Sequence, residues 1–416
     1  MSERAESAHP LAGRYVIAWA LALVFYFLEY AARSSPAVMI PQLSAAFGTT
    51  AVGVSAIIGT YYYTYSVTNL IAGVALDRAG GKWVIPIGVF ILAVGCFAFA
   101  IASSLAANLG RLLQGAGSAF AFTGAVYLAT HGFSARRLAT AIGVTQCLGM
   151  LGGWAGQSVV GPMIHREVPW QTIWQVLGAA SLITGLLLFV VTPAVKRPVS
   201  QPTASHGSLL RPYGIVFSNQ QSYLCGLVAG LLFVPTTVGA MIWGVAFFQK
   251  DLAFSFPSAV TTASMVPLGW VVGCPLLGWL ADRVGRRKPP LIWGAVIMLL
   301  AMTQIAYLPA LMPAQLTAFI FGIASGAAMI PYTIIKEANP DEVKGSATGG
   351  INFLTFAVTA VIGPVFAGFV GKGFDTGDHI GHFRSGASFW IVCILIAIVL
   401  SFLLRETGHG RRPSPT

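Results

Sequence analysis

Apolar residues fill this chain in long blocks, separated by short polar or basic breaks. Each block is about 20 residues or more, enough to cross the hydrocarbon layer of a bilayer as a helix. Twelve can be drawn, at 15–38, 52–76, 83–103, 106–130, 138–163, 169–192, 222–248, 257–281, 289–309, 314–336, 346–371 and 387–405. One long polar stretch, KRPVSQPTASHGSLLRPYG, falls between the sixth and the seventh. The pattern predicts an all-α membrane protein, with twelve transmembrane helices in two six-helix bundles. Its parts are an N-terminal tail at 1–14, a bundle at 15–192, a linker at 193–221, a second bundle at 222–405 and a C-terminal tail at 406–416. A β-barrel would need alternating strands of about ten residues, and none can be read. The first block exceeds the core of a signal peptide and lacks a small-residue cleavage pattern, so it reads as a retained first helix.

Composition agrees: 56% of the 416 residues are hydrophobic, only 9% are charged, and 47 are glycine, which suits close helix packing in lipid. The net charge of +11 raises the question of a nucleic-acid partner. Placement answers it, because the basic residues cluster between apolar blocks, where they fix topology, and no soluble domain carries a basic face. With the N-terminus inside, eighteen of the 24 Lys and Arg face the cytoplasm. Arg166, Lys250, Lys372 and Arg384 face out, and Arg33 and Arg111 fall within helices. Both termini are therefore expected in the cytoplasm, and the chain in the cell inner membrane as a multi-pass protein. The five cysteines each stand alone in an apolar run and read as small filler.

The chain repeats itself. GVALDRAGGK, Gly73 to Lys82, and GWLADRVGRR, Gly278 to Arg287, share G-x-x-x-D-R-x-G, and both follow the second helix of their half. VVGPM around Gly161 and Pro162 is echoed by VIGPV around Gly363 and Pro364 at nearly the same spacing. Two echoes at one offset indicate a duplicated six-helix unit, a known transporter plan. A sharp turn between two helices needs glycine, while the aspartate sits near a helix end or pairs with a base.

On these residues the chain resembles a major facilitator superfamily transporter, whose signature loops lie between helices 2 and 3 and again between 8 and 9. RLLQGAGSA, Arg111 to Ala119, is similar to that superfamily's helix-4 motif. Gly149, Gly152, Gly153, Gly156, Gly161 and Pro162 resemble its glycine-rich helix 5. The resemblance implies two pseudo-symmetric bundles rocking about a central site. It also implies gating by Gly73, Asp77, Arg78 and Gly80 in the first loop and Asp282, Arg283, Gly285 and Arg286 in the second. The first loop departs from the pattern at Gly81, where a base is usual. More narrowly, ExxxRxSPxVM, Glu29 to Met39, resembles a bacterial branch related to phagosomal amino-acid and lysosomal dipeptide carriers, and siderophore exporters look similar too.

Two charges interrupt the first apolar block. Glu29 and Arg33 are four apart and share one helix face. Ionisable residues inside a span are costly and mark function, although an i, i+4 pair can also neutralise itself structurally. Arg111 lies about 9 Å from the outer end of the fourth helix, and helical rise places Glu29 at a similar depth. The resemblance sets both helices beside the central cavity. The expectation is that Arg33 and Arg111 attract a substrate anion, with Glu29 as the proton-coupling group.

Other cavity candidates are Tyr61 and Tyr65 in YYYTY, the amides Gln146 and Asn352 at matched repeat positions, and Trp243 beyond the interruption at Pro235, Thr236 and Thr237. Each is also compatible with interhelical packing and hydrogen bonding. FDTGDHIGHF holds Asp375, Asp378, His379 and His382, which read as an exposed loop whose spacing matches no tight metal motif.

No Walker-type phosphate loop is present, so the chain reads as a secondary transporter, with no cofactor and not an enzyme. The expected cargo is a small organic solute, namely a carboxylate-bearing metabolite, an amino acid or a peptide, carried with protons and with import favoured. Export of a siderophore, metal chelate or metal cation is the alternative, and a non-transporting receptor or scaffold on the same fold a further one. The lipid bilayer and the small molecule are the expected partners, nucleic acid is not, and a monomer is expected.

Overall fold

The structure, a computed structural model, describes residues 12–194, 211–309, 311–371 and 379–408. Most of both tails and most of the expected linker lie outside the described residues. Among those described, twelve long helical units follow one another. α1 is Ala12–Ser34, α2 Ala51–Ala79, α3 Gly81–Phe99, α4 Ser104–Gly132, α5 Ala135–Ser158 and α6 Trp170–Val191. α7 is Gln220–Lys250, α8 Phe256–Val284, α9 Lys288–Tyr307, α10 Ala314–Ala338, α11 Lys344–Gly371 and α12 His379–Leu403. Ten of these spans are long and apolar enough to cross a membrane, and an eleventh qualifies when the short helix Ile40–Phe47 is joined to α2 across a 99° bend. The twelfth, α5, is 24 residues long and rich in glycine.

The first six helices pack mainly on one another, as do the last six. The halves meet where α2 lies along α11 and where α5 lies along α8. Burial grades the helices from centre to rim. The apolar window of α7 is 89% buried and that of α10 72%, whereas those of α6 and α12, last in each half, are 39% buried, as is that of α11 although one side of it packs on α2. α1, at 50%, and α4, at 61%, sit between these limits and carry the charges toward the middle.

Small residues let the backbones close up. A Cβ on Gly115 would stand 2.1 Å from the Tyr61 carbonyl oxygen, so only glycine lets α4 lie this near α2. The duplicated loops each turn on a glycine with positive φ: Gly80 at 72° ends α2 and Gly285 at 66° ends α8. L-side chains avoid that region, which accounts for the glycine common to both motifs.

Two helices are broken at proline. Pro36 has no N–H, so α1 tightens into a 3-10 turn over Ser35–Val38. Pro235 opens a nine-residue π-helical wide turn, Pro235–Trp243, inside α7. α12 begins earlier than its hydrophobicity suggests, because His382 is buried in its first turns. The His382 ring bonds Asp251 Oδ2 (2.6 Å) through Nδ1 and the Val370 carbonyl (3.0 Å) through Nε2, joining the ends of α7, α11 and α12. The expected exposed loop is therefore partly helix, and Asp375 and Asp378 lie outside the described residues.

Candidate functional site

α1 presents Glu29 and Arg33 one turn apart on its buried face. Arg33 Nη2 donates to Glu29 Oε1 and to the Tyr61 hydroxyl (2.9 Å), and that hydroxyl donates to the same Glu29 oxygen (3.2 Å). Glu29, Arg33 and Tyr61 are wholly buried. The ring is closed but not saturated, since Glu29 Oε2 and Arg33 Nε and Nη1 have no hydrogen-bond partner. Aromatic faces surround the cation instead. Its guanidinium carbon lies 4.2 Å from the Tyr30 ring centre, 4.6 Å from Tyr65, 5.0 Å from Tyr61 and 5.2 Å from Phe356. A desolvated cation gains about 2 kcal/mol from such a face.

Arg111 has a different environment. Its Nε donates to the Ile58 carbonyl (3.2 Å), and its Nη1 to the Ala32 carbonyl (3.2 Å) and to Gln114 Oε1 (2.7 Å). Ala32 is four residues before Pro36, so its carbonyl lacks the helical donor that the proline cannot supply. Arg111 fills that vacancy and ties α4 to α1 and α2, while Gln114 continues the chain of bonds to the Gly95 carbonyl of α3 (3.0 Å). Glu29 does not bridge the two arginines. Glu29 is bonded to Arg33 and Tyr61, and Arg111 stacks at 4.8 Å from the Tyr61 ring without reaching the cavity in this conformation.

Over the Arg33 cluster lies a central cavity at the seam of the halves. Tyr26, Tyr30, Tyr65, Phe122 and Gln146 line it from the first half, and Phe233, Met329, Tyr332, Asn352 and Phe356 from the second. Gln146 Oε1 accepts from the Tyr26 hydroxyl (3.2 Å), and Asn352 Oδ1 from the Tyr332 hydroxyl (2.7 Å). The matched amides thus face one space from opposite halves, each holding a tyrosine. Of the residues singled out in the sequence, Tyr65, Gln146 and Asn352 line this cavity. Tyr61 lies beneath it, and Trp243 lines a second cavity between α2, α7 and α11 with Tyr62 and Thr359. Tyr26 and Tyr30 were missed, although their spacing from Glu29 and Arg33 puts all four on one stripe of α1. Phe233, Tyr332 and Phe356 carry no local signal that separates them from ordinary packing aromatics.

Both ends of the seam are closed. At the terminal end the Ser66 hydroxyl donates to the Phe353 carbonyl (2.8 Å), and Asn352 Nδ2 to Asn69 Oδ1 (3.3 Å). There too the Tyr213 hydroxyl, on the short helix Arg211–Ser218, donates to the Leu70 carbonyl (2.8 Å) and packs 3.6 Å from where a Gly73 Cβ would stand. Toward the opposite end Gln157 Nε2 donates to the Ala240 carbonyl (3.0 Å), and Ser158 bonds Ser264 (2.7 Å).

Among the described residues, the ion pairs of the second signature loop stay within its own half. Arg287 Nη1 bonds Asp282 (2.5 Å) and Nη2 bonds Glu337 (2.8 Å), while Glu406 accepts the Arg287 backbone N–H (2.6 Å) and lies 3.6 Å from Arg286. Arg283 stacks over Trp279 at 5.4 Å. These contacts join α8, α9, α10 and the segment after α12, so this loop braces its own half. Burial opposes the Arg287 charge, but Glu337 and Asp282 outweigh it and hold its pKa above the ordinary guanidinium value. In the first loop the Asp77 side chain lies outside the described residues, and Arg78 lines a groove with Tyr213. Among the described residues no group of three His, Cys, Asp or Glu side chains could hold a metal ion.

A profile of the Major Facilitator Superfamily matches residues 22–356 and 275–416. The chain belongs to that superfamily of multi-pass transporters, and it is a secondary transporter of a small molecule in the cell inner membrane. It is 25% identical over 398 residues to a probable 4-methylmuconolactone transporter of Cupriavidus pinatubonensis, with 89% of this chain and 85% of that protein covered. It is 29% identical over 157 residues to a D-xylose transporter of Levilactobacillus brevis, a match spanning 37% of this chain and 33% of that one. Among solved structures, an inward-facing, unoccupied bacterial homologue of the human lysosomal transporter Spinster aligns with a TM-score of 0.74 at 16% identity, covering 96% of this chain and 98% of that one.

Proposed function

We propose that the chain carries a small carboxylate-bearing metabolite together with a proton, by alternating access, with Arg33 as the anion anchor and Glu29 as the proton carrier. The observation behind this reading is the unsaturated Glu29–Arg33–Tyr61 cluster directly below the cavity. In the empty site Glu29 neutralises Arg33. An entering carboxylate competes for the guanidinium, whose planar fork suits a two-point contact. Once displaced, Glu29 would be an unpaired charge in a sealed bundle, and it takes up a proton instead of remaining ionised. Anion and proton then enter the occluded state together, which is symport. Arg111 adds positive potential and holds α4 against α1, but it does not touch the substrate. The relative named for a muconolactone supports an organic acid more than a metal cation.

The test is uptake into proteoliposomes, with and without a pH gradient, of an acid found to stabilise the purified protein. The expected result is gradient-accelerated uptake by the parent chain, whereas Glu29→Gln still binds the acid but its uptake ignores the gradient. Unchanged gradient dependence in Glu29→Gln would remove the coupling role.

A further inference from the structure

The walls of the central cavity narrow the cargo. We infer that the substrate is a planar, unsaturated or aromatic carboxylic acid without an ammonium group, a statement that rests on the carboxylate reading above and sharpens it.

Three observations lead there. First, the cavity is walled by rings from both halves: seven of its ten lining side chains are Phe or Tyr, and an eighth is Met329. Flat π-faces gain more than area burial alone when they meet another ring in offset or edge geometry, and thioether sulfur also favours aromatic contact. A saturated body of equal size gains the burial but not the ring contact.

Second, nothing lining the cavity is charged, and its polar groups are the two amides and the tyrosine hydroxyls. In the empty site Glu29 is held by Arg33 and Tyr61, and once an acid takes its place on Arg33 it carries a proton on the reading above. The amino group of an amino acid or peptide would then find no ionised carboxylate. Aromatic cages do accept ammonium ions, but here the faces of Tyr30, Tyr65 and Phe356 already serve the Arg33 cation within 5.2 Å. A second cation placed above them would be repelled by the first.

Third, the closed cage holds free space for about one water molecule. The rings must part to admit any substrate, and a flat body parts them least. Tyr65 and Phe356 already meet edge to face, with centres 4.5 Å apart. A planar acid inserted between them would replace that contact with two of its own while its carboxylate points down to Arg33.

The experiment is a thermal-shift titration of the full-length purified protein with matched ligands. Benzoate and cinnamate are the planar acids, cyclohexanecarboxylate and 3-cyclohexylpropionate their saturated counterparts, and phenylalanine and dialanine the ammonium-bearing set. The expected outcome is half-maximal stabilisation by the planar acids at concentrations at least tenfold below those of the saturated pair, with no response to phenylalanine or dialanine. Phe356→Leu should bring the planar-to-saturated ratio close to one. Equal response to the saturated acids, or tighter binding of phenylalanine or dialanine, overturns the planar-acid inference and leaves the carboxylate reading standing. Silence toward every acid overturns both. Because the ligand comparison is made within the parent protein, it remains decisive even if Phe356→Leu does not fold.

Discussion

α1 and α7 are each the first helix of a duplicated half, and they show how far the halves have diverged. Both are broken by a proline. In α1 the break follows a charged stripe, and the carbonyl freed at Ala32 is bonded by an arginine from α4. In α7 the stretch is uncharged, and the chain absorbs the break as a wide turn. There Thr237 bonds back to the Phe233 carbonyl (3.4 Å), and Trp270 of α8 reaches the Thr236 hydroxyl (2.9 Å). Backbone groups freed inside a membrane helix must find partners by one route or another. The first half uses a fixed cation, which is expected to stiffen it, whereas the second uses hydroxyls and a π-turn, which is expected to leave it deformable. A division of labour follows, in which both halves supply rings, the first adds the charges and the second is expected to add the hinge.

The largest expected effect is at Arg111. Arg111→Met removes three charge-assisted bonds and leaves the Ala32 and Ile58 carbonyls buried without that donor. The expected loss is about 3 kcal/mol of stability, read as a lowered thermal midpoint in detergent. The protein that remains folded should still be stabilised by its acid ligand. If Arg111→Met instead keeps its thermal midpoint and loses only the response to ligand, the rigid-half picture fails and Arg111 belongs to the substrate.

A smaller effect, on rate more than on stability, is expected at the α7 break. Pro235→Ala restores an N–H and a helix-competent residue, which favours regular α-helix over the wide turn. An apolar cavity behind the turn, lined by Gly239, Gly244, Phe247 and Trp390, gives the segment room to move. Transport by Pro235→Ala should slow several-fold with ligand affinity within about twofold of the parent, a split between turnover and binding that marks a conformational step. Reduced affinity with unchanged turnover would show instead that the turn shapes the site.

Much of this was legible in the residues. The spans came from apolar block length, the duplication from two echoed motifs, and the importance of α1 from two charges where none is expected. Glu29 and Arg33 could be paired because helical periodicity fixes i, i+4 neighbours. What failed to read was whatever depends on direction around a helix axis or on contact between distant helices. Matching depth made Arg111 a plausible cavity residue, but depth does not say which way a side chain points, and the vacancy left by Pro36 turned it toward backbone. His382 read as loop because its partner Asp251 is 131 residues away. The cage rings from the second half are distant partners of the same kind.

The smallest effect separates the two signature loops. Were the second loop a gate between the halves, each of its arginines would matter to transport. The contacts divide them: Arg287 is largely buried and held by Asp282 and Glu337, whereas the Arg286 side chain is 61% exposed and only 3.6 Å from Glu406. Exposed pairs of that kind contribute about 0–1 kcal/mol and are screened by salt. Arg286→Ala should therefore leave the thermal midpoint and the uptake rate within error of the parent, at low and at high ionic strength alike. A clear loss of uptake at unchanged stability would mean that Arg286 reaches across to the first half in another state of the cycle. The loop would then be a gate as well as a brace.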